Sequence, residues 1–141
     1  MNLPTKDEIN IYNSLDEIAA CKHFLGKSLE QAEALFRENS AYYQEYLMWM
    51  GPVAFNFYLE SAINYLKSDD AVGDSHLIEC LYQIVVFRMK QKEFVLAIDR
   101  VNKLIAYVME YYDKFEVNEV VYGDVLSKYE HLQLLLKDKE V

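Results

Sequence analysis

The chain has 141 residues, of which 52% are apolar, 14% aromatic and 26% charged. That is about one domain's worth of chain, too apolar for intrinsic disorder and too regularly interrupted by charge for a membrane-spanning protein. Four glycines and two prolines are too few for the many turns of a β-sandwich or barrel, so an all-α domain is predicted. The net charge of −9 and the pI of about 4.8 repel phosphate backbones and anionic membranes, so neither nucleic acid nor membrane is an expected partner. The acid excess is greater over residues 1–70 than over the rest. The one dense basic run, Arg88, Lys90 and Lys92 followed by Arg100 and Lys103, has no glycine loop beside it and reads as a solvated helix end.

Residues 1–13 read as a lead-in, in which Pro4 and Thr5 can open a short helical turn through Ile9 and Tyr12. Ser14 and Glu17 form a capping box that starts a helix over about 15–25, stopped at Gly26. Ser28 and Gln31 repeat the device for a helix to about Glu38, where Asn39 and Ser40 break it or begin another turn. Residues 41–50 are aromatic enough for a strand, but Tyr42, Tyr43, Tyr46, Leu47, Trp49 and Met50 also fit helical spacing. A short helix ending at Gly51 is the preferred reading, with Pro52 in the first position of the next helix.

From Pro52 to about Lys67, Phe55, Leu59, Ala62 and Leu66 line one face and predict a central helix. Residues 68–74 form a loop, and Asp74 or Ser75 caps a helix over about 75–91 that is apolar nearly all round. The strongest amphipathic pattern, over 93–114, turns Phe94, Ile98, Val101, Leu104, Ile105 and Val108 inward. A last helix over about 119–137 precedes a tail, 137–141, expected to fray. The result is one compact bundle of six or seven mostly antiparallel helices over residues 1–141, without an internal linker.

Chemistry-bearing residues are sparse. His76, Glu79 and Cys80 share one helical turn and are competent metal ligands, which makes a small metal-binding protein or enzyme centred on the helix 75–91 one alternative. No nucleophile elbow, phosphate-binding glycine loop or Glu-x-x-His pair accompanies them, so no catalytic residue or cofactor is assigned. Cys21 and Cys80 are the only cysteines and no apolar signal segment stands at Met1–Glu8. Two reduced, buried thiols and a cytoplasmic location are therefore expected. Twelve tyrosines are clustered and interleaved with acids, a composition that suits protein interfaces. Self-association through these aromatics is a further alternative.

The run Leu47-Met48-Trp49-Met50-Gly51-Pro52-Val53-Ala54-Phe55-Asn56-Phe57-Tyr58-Leu59, with Phe24-Leu25-Gly26-Lys27 upstream and Ala71-Val72-Gly73-Asp74-Ser75 downstream, resembles a group of small uncharacterised bacterial helical proteins. The likeness spans about residues 24–90. It implies a bacterial cytosolic origin and brings no activity with it. Small acidic helical bacterial proteins include immunity proteins that neutralise basic nuclease toxins, an analogy of shape and charge. The preferred expectation is a non-catalytic acidic interaction module for a basic protein partner. Its contact residues are expected among Glu38, Tyr42, Tyr43, Glu45, Trp49, Asp69 and Asp70.

Overall fold

A computed structural model describes residues 2–139, which fold as a compact all-α unit with no strand among the described residues. Nine α-helices occur among these residues: α1 (Lys6–Ile9), α2 (Leu15–Phe24), α3 (Leu29–Tyr43), α4 (Tyr46–Trp49), α5 (Pro52–Lys67), α6 (Ser75–Arg88), α7 (Ile98–Glu110), α8 (Glu119–Tyr122) and α9 (Val125–Lys139). None is long and apolar enough to cross a membrane. Short 3₁₀ turns over Asp69–Ala71, Lys92–Ala97 and Tyr112–Phe115 link α5 to α6, α6 to α7, and α7 to α8.

The helix count exceeds the predicted six or seven because long apolar patterns are interrupted. The pattern over 93–114 is a 3₁₀ turn, then α7, then another 3₁₀ turn; i→i+3 bonding keeps apolar side chains inward while the axis bends. Gly123, at φ +75°, divides the last segment into α8 and α9. Asn39, with non-helical backbone (φ −162°, ψ 82°), kinks α3 where the sequence predicts a break or a new turn. Residues 1–13 are more than a lead-in, because α1 is a capped turn whose Ile9 is fully buried. Residues 137–139 continue α9 instead of fraying; residues 140 and 141 lie outside the described residues.

Local cap chemistry sets most helix starts. Thr5, Ser14 and Ser28 each accept the amide three residues on, and Glu8, Glu17 and Gln31 reciprocate. Asp74 caps α6 through Leu77 N, at 3.1 Å. The other Asp74 oxygen accepts the hydroxyls of Ser40 (2.6 Å) and Tyr65 (2.8 Å), so one carboxylate ties α3, α5 and α6 together.

Helix α5 is central, as its near-continuous apolar circumference predicts. Ala54, Phe55, Tyr58, Leu59, Ala62, Ile63 and Leu66 are buried, and α5 packs against α1, α3 and α7. The Tyr58 hydroxyl, inside this core, is shared between the carbonyls of Phe24 (2.8 Å) and Lys27 (2.9 Å) at and beyond the end of α2. On the other side, Tyr129 of α9 donates to Ile78 O of α6 at 2.6 Å.

Candidate functional site

Close backbone packing brings three distant segments together around a groove. Gly51 N donates to Ile9 O at 3.0 Å, and a Cβ on Gly51 would lie 2.2 Å from Glu8 O and 2.7 Å from Ile11 Cδ1. Only a residue without a side chain lets the α1 segment lie against the α4–α5 turn. The loop between α1 and α2 is then fixed by Glu17. One of its oxygens accepts Ile11 N (2.7 Å) and Tyr12 N (2.9 Å); the other accepts Ser14 N (3.1 Å) and Ser14 Oγ (2.6 Å). Burial acts to raise the Glu17 pKa, but these hydrogen bonds outweigh it and hold the carboxyl below its ordinary value. The loop thereby presents Ile11 and Tyr12 to solvent, Tyr12 being 87% exposed.

Facing that loop, Trp49 of α4 and Phe87 of α6 pack edge to face with centroids 5.9 Å apart, and both remain partly exposed. The groove between these walls has a volume of about 480 Å³. Asp16 and Glu93, both exposed, border it, and Arg88 contributes to its lining.

Arg88 overturns the expectation of a solvated basic run. The residue is only 3% exposed; Nη1 donates to Leu47 O (3.1 Å) and Met48 O (2.8 Å), and the guanidinium carbon stands 4.4 Å from the centroid of the Phe55 ring. Two carbonyls of the short α4 are thus satisfied by a side chain from α6. Burial pulls the guanidinium down to about 10, with the charge of Glu93 acting upward, so it is cationic at neutral pH. A signal for this exists in the sequence: Arg88 follows Leu81, Ile84 and Val85 at helical spacing and shares their buried stripe. Arg100 is also held back from solvent, by Glu60 at 3.2 Å, whereas Lys90, Lys92 and Lys103 are exposed as expected.

The residues expected to form one contact face occupy several local settings. Tyr42 and Tyr43 join His23 and Tyr46 in a ring cluster, with the His23 centroid 5.7, 5.5 and 5.0 Å from those of Tyr42, Tyr43 and Tyr46. Tyr46 donates to the Tyr42 hydroxyl at 2.9 Å. Burial and this bond push the Tyr46 phenol up to about 12. Glu38 and Glu45 are exposed, and their charges reach Tyr43 and Tyr46 respectively. Asp70 is held by Arg37 Nε at 2.7 Å, Arg37 also binds Glu33, and Asp69 is exposed. Of the expected contact residues, Trp49 lines the groove.

The three side chains singled out as metal ligands do not converge. His76 Nε2 lies 3.4 Å from Cys80 Sγ, but both Glu79 oxygens accept from Lys128 Nζ at 3.0 Å. His76 Nδ1 is 3.3 Å from the Tyr122 hydroxyl. Burial, with Glu79 beside it, pushes the Cys80 thiol up to about 11, which disfavours a metal-binding thiolate. Among the described residues, no group of three or more His, Cys, Asp or Glu side chains is placed to hold a metal ion. Cys21 and Cys80 are free thiols, and each is half-buried.

Comparison with known proteins finds no matching family model and no match among curated proteins or solved structures.

Proposed function

We propose that this chain is a non-catalytic interaction module that docks a basic, partly apolar segment of another protein in the groove between the α1–α2 loop and the Trp49–Phe87 pair. The observation behind this reading is the pairing of solvent-facing apolar side chains with exposed acids at one concave place: Ile11, Tyr12, Trp49 and Phe87 beside Asp16 and Glu93. Trp49 is held by its packing on Phe87, and tryptophan and tyrosine contribute contact area at small entropic cost, which is why such residues dominate binding energy at interfaces. The net charge of −9 steers cationic partners toward the molecule and raises their association rate.

Binding of an array of random octapeptides to wild type, to Trp49→Ala and to Asp16→Lys/Glu93→Lys tests this reading. The expected binders carry Lys or Arg beside apolar residues, weaken as salt rises, and are lost in both variants. Binders indifferent to salt and to both variants would reject it.

A further inference from the structure

Docking of a basic segment leaves two donor groups of Arg88 without a role. Nη1 is engaged by Leu47 O and Met48 O, but Nε and Nη2 have no hydrogen-bond partner among the described residues. No carboxylate among those residues lies within 4.0 Å of the guanidinium. Nor does any fully enclosed side-chain nitrogen or oxygen among them lack a partner. The two remaining donor groups are therefore not fully enclosed, and they belong to a side chain that lines the groove. A cation withdrawn this far from water, with two unpaired donor groups on a side chain that lines a concave surface, favours the arrival of an anion.

The Nε–Nη2 edge of a guanidinium presents two parallel N–H groups, the geometry that a carboxylate accepts on both oxygens. A single guanidinium beside Asp16, Glu93 and the hydrogen-bonded Glu17 carboxylate suits a monoanion better than a phosphate, whose second charge those acids repel. The same acids argue against an aspartate or glutamate within an acidic stretch. A chain terminus satisfies both demands, with one negative charge at its end and positive side chains behind it.

We propose that Arg88 receives the C-terminal carboxylate of a partner polypeptide, whose last, apolar side chain packs against Trp49 and Phe87 while preceding lysines or arginines meet Asp16 and Glu93. This assignment rests on the groove being the docking surface and names the part of the partner that enters it.

Two arrays of the same random octapeptides, one with free C-terminal carboxyls and one amidated, test the assignment on the unaltered protein. Binders lost in Trp49→Ala are expected to bind on the order of tenfold or more tightly as acids than as amides, the scale of a hydrogen-bonded charge pair. They should be enriched in an apolar last residue. In Arg88→Lys, confirmed as folded by circular dichroism, that preference should shrink toward unity. Equal binding in the two arrays overturns the role of Arg88 and leaves the groove as a docking surface. Binding governed by an internal Asp or Glu, and not by the terminus, overturns that role equally. Absence of Trp49-dependent binders from both arrays overturns the assignment and the docking surface together.

Discussion

Gly51 and Glu8 meet backbone to backbone: a methyl group on Gly51 would lie 2.2 Å from the Glu8 carbonyl oxygen, well inside contact distance. The φ of Gly51 is −60°, which any residue adopts, so the constraint is space and not backbone strain. The Glu8 oxygen belongs to the main chain and cannot swing aside as a side-chain end would. Gly51→Ala should therefore cost about 1–3 kcal/mol, the range for overpacking a close contact, read as a lower midpoint in urea. Trp49, the one tryptophan in the chain, should report displacement of the adjoining turn by a shift in its emission.

Glu17 makes stability depend on acid. Its carboxyl is held below the ordinary glutamate value in the folded chain because four donors address its charged form, against the opposing effect of burial. A depressed folded pKa stabilises fully above the unfolded value, and the contribution disappears as pH falls through the folded value. Urea midpoints of wild type should fall across that acidic window, and Glu17→Gln should lack this component of the fall. At neutral pH the variant should lose about 1–3 kcal/mol, because an amide replaces one acceptor oxygen with a donor facing N–H groups. A Glu17→Gln profile parallel to wild type through the acid range would contradict this.

Two buried tyrosine hydroxyls predict different costs on removal. Tyr58 is shared by the carbonyls of Phe24, which also accepts Lys27 N at 3.0 Å, and of Lys27, which lies past the end of α2 where the regular helical ladder has stopped. Tyr129 instead donates to Ile78 O, in the interior of α6. There the regular helical bond also serves the carbonyl. Tyr58→Phe should cost about 1–3 kcal/mol and Tyr129→Phe about 0.5–1.5 kcal/mol, the difference between stranding an acceptor and removing a second bond. Thermal unfolding of the two variants side by side measures the contrast.

Cys80 should be a poor nucleophile. Burial first, and the charge of Glu79 second, push its thiol up to about 11; burial also raises Cys21. At pH 8, Cys80 should react with a disulfide reagent on the order of a hundredfold more slowly than an unhindered cysteine, in proportion to its thiolate fraction. Cys21 is expected to react faster than Cys80. Stopped-flow labelling of Cys21→Ser and Cys80→Ser separates the two rates.

Much of the architecture is readable in the sequence because its causes are local. The Ser14–Glu17 and Ser28–Gln31 boxes need only four residues each, and Pro52 marks a helix start because its fixed φ and missing N–H suit the first position. The breaks within 93–114 are hidden because a 3₁₀ turn retains the inward pattern of Phe94 and Ala97. The groove is largely illegible, since Ile11, Trp49 and Phe87 become neighbours only through tertiary packing. The sequence points Trp49 to a contact surface, but in company with Tyr42 and Tyr43. Lys90 and Lys92 disguise Arg88 as part of a solvated run, although its register with Ile84 and Val85 puts it on the core side of α6.

The α1–α2 loop has few buried anchors beyond Ile9 and the Glu17 carboxylate, yet it supplies a complete wall of the groove. Segments with so few buried side chains open at lower free energy than the core of a domain. An occupant that touches Tyr12 and Trp49 together would bridge this segment to the body of the bundle and share in holding it closed. Occupancy and amide-proton protection at residues 11–17 are thus linked: tighter ligands should slow exchange there selectively, while the exchange of α5 stays as it was.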